Sequence, residues 1–274
     1  MKALEGIKKI TTKLGMCLGI TLGLTFVMGA GAQAQNPSRQ IVNQSITWFS
    51  LNSNVKLSKK WSAVIDGQFR FVQDLESMQH MVRIGANYDI TSKLSVVPIG
   101  YSYIWNYKYG KQPSGYVNDE MRIWQQVFYK HKVSYVAMNH RLRLEERFIQ
   151  HHTTANEGTP ESDKFSEYQF RLRYRILANI PLNKKSMDPK TVYLSIWDEA
   201  FVSWGKNVTY NNINQNRIFV GPGYQFTKKL AIQAGFIHQI LIKSNGAKQE
   251  NNAGILAQLN YNFDLTKKEK PQQN

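Results

Sequence analysis

HRLRLEERF, residues 140–148, and EYQFRLRYRI, residues 167–176, decide how this chain must fold. Both alternate charged and apolar side chains with a period of two. In the first, Val136, Met138, His140, Leu142 and Leu144 share one face, and Asn139, Arg141, Arg143, Glu145 and Arg147 share the other. In the second, Tyr168, Phe170, Leu172, Tyr174 and Ile176 stand opposite Glu167, Gln169, Arg171, Arg173 and Arg175. Successive side chains of a strand point to opposite faces, so each segment reads as a strand with one oily and one charged side. A soluble sheet could turn the arginines to water, and a membrane barrel could turn them to its interior.

The rest of the chain favours the barrel. Period-two alternation recurs in eleven segments, at roughly 45–55, 61–73, 78–90, 94–107, 120–131, 133–148, 165–180, 192–204, 216–226, 230–243 and 252–265. Most exceed the about 5–6 residues usual in soluble sheets and reach the about 9–11 that a tilted strand needs to cross a bilayer. The connections alternate in length. LSKK (57–60), ITSK (90–93), KHK (130–132) and FTKK (226–229) read as tight turns, with the longer PLNKKSMDPK (181–190) in the same series. Between them come 109–119, 150–163, 205–212 and 244–252 as loops. Short turns at one end and long loops at the other are the mark of an outer-membrane barrel. Aromatic residues gather toward segment ends: Trp48 and Phe49, Tyr101 to Tyr107, Trp204, Tyr224 and Phe226, Tyr261 and Phe263. There they would form interfacial girdles.

The N-terminus supplies the route to such a location. Residues 1–34 read as a secretory signal: Lys2, Lys8, Lys9 and Lys13, then an apolar core over 14–30, then Ala32-Gln33-Ala34 as a cleavage site. The single cysteine, Cys17, lies inside that segment, so the remainder has no disulfide, thiol nucleophile or cysteine-ligated metal. The formal charge is +16, of which the leader's four lysines and one glutamate account for three. On an exported chain this balance suits lipid and lipopolysaccharide phosphates, with no nucleic acid implied.

Three parts follow: a signal peptide over 1–34, an antiparallel transmembrane β-barrel over 35–265, and a hydrophilic tail over 266–274. An odd strand count is unusual for bacterial single-chain barrels. The even-number rule therefore points to twelve strands, a short one coming from 35–44, with ten as the other option.

Hydrocarbon then dictates which face turns outward. An arginine on the lipid side costs about 2–4 kcal/mol near the midplane, and a few of them would exceed a typical net stability of about 5–15 kcal/mol. The same parity places Asp66, Arg70, Arg83, Glu120, Arg122, Glu199 and Arg217 inside. Arginine–carboxylate forks are strong and directional, so cross-strand ion pairs should partly fill the lumen. Glu146 falls on the oily face beside Phe148 and is tolerable only at the rim.

RIWQQ (122–126), the HRLRLEERF that follows it, and WSAVIDGQFR (61–70) resemble a family of Gram-negative exported proteins known as domain of unknown function 2490. The likeness spans roughly Ser45 to Phe263. It implies an outer-membrane barrel and no assigned activity. The motif positions it carries are Arg122, His140, Arg141, Arg143, Glu145, Arg147 and Phe148, without roles.

Catalytic patterns are weak. His140 and His238 face outward, where a lipid-cleaving site could lie, but no G-x-S-x-G is present and no serine is placed beside either. His151 and His152 lie in a polar loop and point apart. Glu145 and Glu167 could approach across strands as a carboxylate pair, although surrounding arginines would keep both ionised. GPGYQ (221–225) is a weak glycine-rich strand end.

The expectation is a monomeric, non-enzymatic, porin-like barrel without cofactor or metal in the outer membrane of a Gram-negative bacterium. It would be a narrow anion-favouring channel or a structural protein. The lumen or ligand candidates are Arg122, Arg141, Arg143, Glu145, Arg147, Glu167, Arg171, Arg173 and Arg175. Its partners would be outer-membrane lipid or lipopolysaccharide and a small anionic ligand. The alternatives are an outer-leaflet lipid-modifying enzyme, an acyl hydrolase or transferase built into the barrel wall, and a soluble periplasmic β-protein that binds polyanions.

Overall fold

The computed structural model describes residues 39–110, 117–150, 152–154, 160–162, 165, 167–206, 208–209, 211–243 and 246–266. The expected leader, the tail beyond Thr266 and His151 lie outside the described residues.

The chain is all β. Its long strands are β1 (Gln40–Lys56), β2 (Trp61–Val72), β3 (Glu76–Asp89), β4 (Leu94–Asn106), β5 (Asn118–Val133) and β6 (Val136–Ile149). A short hairpin, β7 (His152–Thr154) with β8 (Pro160–Ser162), sits in the following connection. Then come β9 (Glu167–Pro181), β10 (Thr191–Trp204), β11 (Gln215–Gln225), β12 (Leu230–Ile242) and β13 (Lys248–Tyr261), and the two-residue β14 (Phe263–Asp264).

Consecutive long strands pair antiparallel, with β6 pairing directly to β9. The sheet then closes on itself. β13 meets β1 in parallel, from Gln40↔Lys248 to Asn52↔Asn260, and β14 extends that edge at Val55↔Phe263. The count is therefore eleven, not the twelve that the even-number rule suggested. Residues 40–44 begin β1 rather than making a strand of their own. An odd number of alternating strands leaves the first and last pointing the same way, so the seam has to be parallel.

Parallel pairing is slightly weaker per residue, and here side-chain amides reinforce it. Asn52 Nδ2 donates to Asn260 Oδ1 at 3.1 Å, Asn251 Nδ2 to Asn43 Oδ1 at 3.1 Å, and Gln44 Nε2 to Asn252 Oδ1 at 3.3 Å.

Turn chemistry accounts for two local differences from the sequence reading. KHK is not a turn: β5 runs on to Val133, and Ser134–Tyr135 reverse the chain with Ser134 at φ 57°. A two-residue hairpin needs such a left-handed residue more than it needs polar ones. β13 begins at Lys248, inside the stretch expected as loop. The two ends nevertheless keep their contrast. The connections 57–60, 90–93, 134–135, 182–190 and 226–229 share one end with the close of β13. The start of β1 shares the other end with 107–117, 150–166, 205–214 and 243–247, and with the tight reversal 73–75.

Outward positions are apolar between two aromatic bands. Ile84, Val127, Leu142, Val220 and Ile255 are exposed along the middle. Toward the short-turn end, Trp61 packs on Tyr88, Tyr224 on Phe226 and Tyr261 on Phe263, with centroids 4.5–4.9 Å apart. Toward the long-loop end, Phe148, Tyr168, Phe170 and Trp204 form a continuous chain of ring contacts, tilted, edge-on and stacked in turn. Two residues depart from the girdle expectation. Tyr101 stands directly opposite Ile84 at mid-height. Trp48 turns inward at 4% exposure, because its parity in β1 matches that of Ile46 and Ser50.

Inside, Trp124 lies flat against the wall because two glycines make room. Gly85 and Gly100 face each other across β3 and β4, and Gly100 faces Trp124 across β4 and β5. A Cβ on Gly85 would come within 2.6 Å of the indole, and one on Gly100 would fall on the ring itself. Gly100→Val is therefore expected to displace Trp124 at a cost of about 1–3 kcal/mol. A lowered urea midpoint together with a red-shifted tryptophan emission would register it.

Candidate functional site

All nine candidate residues lie on β5, β6 and β9 and turn to the lumen by the parity read from the sequence. Strand register then sorts them into pairs. Glu145 stands opposite Arg171, Arg143 opposite Arg173, Arg141 opposite Arg175 and Arg122 opposite Arg147. β10 adds Glu199 opposite Arg175, and β11 adds Arg217 opposite Glu199.

Three buried carboxylates organise the lattice. Glu120 receives a double fork. Arg122 donates from Nε at 2.6 Å and Nη2 at 2.8 Å, and Arg147 from Nε at 2.5 Å and Nη2 at 3.1 Å. Glu145 accepts from Arg171 Nε and Nη2 at 2.9 and 2.5 Å and from Arg173 Nη1 at 2.6 Å. Arg122 and Arg143 stand 3.8 and 3.9 Å from it. Glu199 binds Arg141 at 2.5 Å and Arg173 at 2.8 Å, with Arg217 at 4.0 Å. All three are 3% exposed or less. Removing an ion from water costs several kcal/mol, which only well-placed counter-charges recover. Here every carboxylate has at least two.

Aromatic rings take up part of the cationic surplus. Phe201, wholly buried, has the guanidinium carbons of Arg173 and Arg217 at 4.7 Å from its centroid and that of Arg171 at 5.5 Å. Trp124 has Arg143 at 4.3 Å and Arg83 at 5.9 Å. Trp48 has Arg70 at 4.1 Å and Arg217 at 5.0 Å. The ring face is the negative pole of the quadrupole, so it attracts a cation without adding formal charge. Arg70 also donates to Gln68 and Gln79, both at 2.5 Å.

The lattice is lopsided along the axis. Toward the long loops the lumen is packed with buried side chains, among them Ile46, Val72, Phe219, Ile237 and Leu256. Below, a cavity of about 970 Å³ opens toward the short turns. Its inner end carries Arg83, Arg141, Arg143 and Arg175, and its mouth carries Lys56, Lys130, Lys228 and Lys229 with Asp89 and Asp264.

Several expectations change in detail. Glu145 and Glu167 do not face each other: Arg171 is opposite Glu145, and Ile149 is opposite Glu167, nearer the long loops. Glu146 does lie outside, where its Oε2 accepts from the Tyr168 hydroxyl at 2.9 Å within the aromatic band. Asp66, Arg83 and Arg217 join the candidates, with Arg83 bound to Asp66 at 3.1 Å. The lumen aromatics Trp48, Trp124 and Phe201 were the unforeseen members. Their parity was the available signal, since Trp124 alternates with Arg122 and Gln126, and Phe201 with Glu199.

The fold and the site together define a closed β-barrel with a buried arginine–carboxylate lattice in its lumen. The chain belongs to the family described as Protein of unknown function (DUF2490), whose model matches residues 45–251, from within β1 to within β13. Neither the curated proteins nor the solved structures gave a match.

Proposed function

We propose that this chain is a non-enzymatic barrel of the Gram-negative outer membrane, closed by its own side chains and not conducting at rest. The observation that carries the reading is the filled cross-section. Phe201, Phe219, Trp124, Glu145 and Gln239 are each 0–1% exposed inside the wall. The apolar outer belt between two aromatic bands supports a bilayer location. So do strands of 11–17 residues, more than the about 9–11 needed to span. By the usual orientation of such barrels the short turns face the periplasm, which would put the cavity on that side. Exposed Lys108 and Lys206 at the other end suit lipopolysaccharide phosphates. Because the chain closes its own sheet, a monomer suffices.

The lipid-modifying alternative has less support. His140 hydrogen-bonds the Tyr174 hydroxyl at 2.8 Å and stacks on His131 at 5.0 Å. His238 is flanked across its strand pairs by Ile218 and Ala253. Neither has a serine as its direct cross-strand neighbour.

The test is single-channel recording in planar bilayers together with membrane fractionation. The unaltered protein should shift in gel mobility on heating, resist alkaline washing and give no stepwise current over many insertions. Regular anion-selective steps would overturn the closed-lumen reading, and a washable protein without a heat shift would overturn the membrane one.

A further inference from the structure

The cavity has an end wall of arginine donors that the lattice leaves unused. Arg141 and Arg175 face each other directly across β6 and β9, where like charges destabilise a sheet. Glu199 answers Arg141 at 2.5 Å, while Arg175 lies 6.0 Å from the centroid of the Trp197 ring. Arg143, 3% exposed, spends Nε and Nη2 on Gln126 Oε1 at 3.0 and 2.7 Å. Among the described residues five buried guanidinium nitrogens have no hydrogen-bond acceptor: Arg70 Nε, away from the cavity, and Arg83 Nε, Arg141 Nε, Arg143 Nη1 and Arg175 Nε. The last four residues line the inner end of the same cavity, where Asp66 and Glu199 are the carboxylates beside them. Buried donors without acceptors are costly, and clustered like charges add to the cost. A tetrahedral oxyanion in the cavity offsets the clustered charge and offers acceptors to guanidinium groups that turn toward it, because guanidinium forks match phosphate geometry.

Next to the arginines the wall becomes neutral and polar. Asn139 and Asn179 line the cavity beside Trp197, and the Asn179 Oδ1 is a buried acceptor without a donor. Orphan donors at one end and an amide acceptor beside a ring suit a ligand with a phosphate at one end and hydroxyls along its body. The volume lies in the usual range of about 300–1,000 Å³ for small-molecule sites. We infer that the cavity binds a phosphorylated sugar. Its phosphate sits among Arg83, Arg141, Arg143 and Arg175, and its hydroxyls reach Asn139 and Asn179.

Calorimetric titration of the full chain in detergent micelles at low ionic strength tests this, with glucose 6-phosphate, inorganic phosphate and glucose as probes. The expected order of affinity is the ester, then phosphate, then glucose. Arg175→Gln and Arg143→Gln should each weaken the ester at least tenfold, Arg175→Lys should recover part of it, and Lys248→Gln, at the far end of the barrel, should change nothing. Heat-shifted gel mobility checks that each variant is folded. Absence of heat with both phosphate species, an unchanged Kd in folded Arg175→Gln, or glucose binding as tightly as the ester would overturn the site. Equal affinity for phosphate and ester would overturn the role given to Asn139 and Asn179. Conductance reports separately on the closed lumen, so either reading can fail without the other.

Discussion

Glu145→Gln is expected to destabilise the barrel by about 3–5 kcal/mol, the usual cost of removing one partner from a buried ion pair. The substitution keeps the shape and removes only the charge. Arg171 and Arg173 lose hydrogen bonds of 2.5–2.9 Å to a carboxylate, and Arg122 and Arg143, 3.8 and 3.9 Å away, lose their nearby counter-charge. Arginine does not neutralise by deprotonation in proteins, so the lattice is left with uncompensated cations in a buried interior. A typical domain has about 5–15 kcal/mol in hand, so much of the stability should go. Urea unfolding in lipid vesicles, followed by tryptophan emission, measures it. Glu146→Gln is the internal comparison, for it gives up only an exposed hydrogen bond from the Tyr168 hydroxyl and should shift the midpoint little. Equal midpoints for the two variants would mean that Glu145 is not the hub of the network.

Phe201→Ala should produce two effects together. Removing a fully buried phenylalanine costs about 3–5 kcal/mol through lost contacts and the cavity left behind. In this barrel the ring also faces three guanidinium groups at 4.7–5.5 Å, and such contacts reach about 2 kcal/mol when desolvated. The second effect is on permeation. Opening space at that level leaves a passage lined by Arg171, Arg173 and Arg217, and arginine-lined constrictions select anions. Bilayers containing the variant should show anion-preferring current where the parent is expected to be silent. A variant as stable and as silent as the parent would show that the plug does not depend on this ring.

Alternation gave the face of all nine lumen candidates, eight of them in the two arginine-rich stretches and Arg122 in β5, because β5, β6 and β9 pair with one another without a register shift. The same parity placed His140, His238 and Glu146 outside. The strand count was less legible. The even-number rule weighed against eleven, and nothing local in β1 or β13 announces a parallel seam, since pairing between residues about 208 apart is a property of closure. The turn at Ser134–Tyr135 was hidden for a different reason. Its backbone conformation carried the signal, and the neighbouring basic residues looked more turn-like than they are.

What the amino-acid order determined alone is the two-sidedness of each strand: period two puts the arginines and the apolar residues on opposite faces. What only the tertiary structure decided is how the inward charges are shared. Whether Glu145 meets Arg171 or Glu167 depends on the register between strands. Whether Arg175 is answered by a carboxylate or left facing a cavity depends on how eleven strands close. Those are long-range distances, and alternation along a strand holds no information about them.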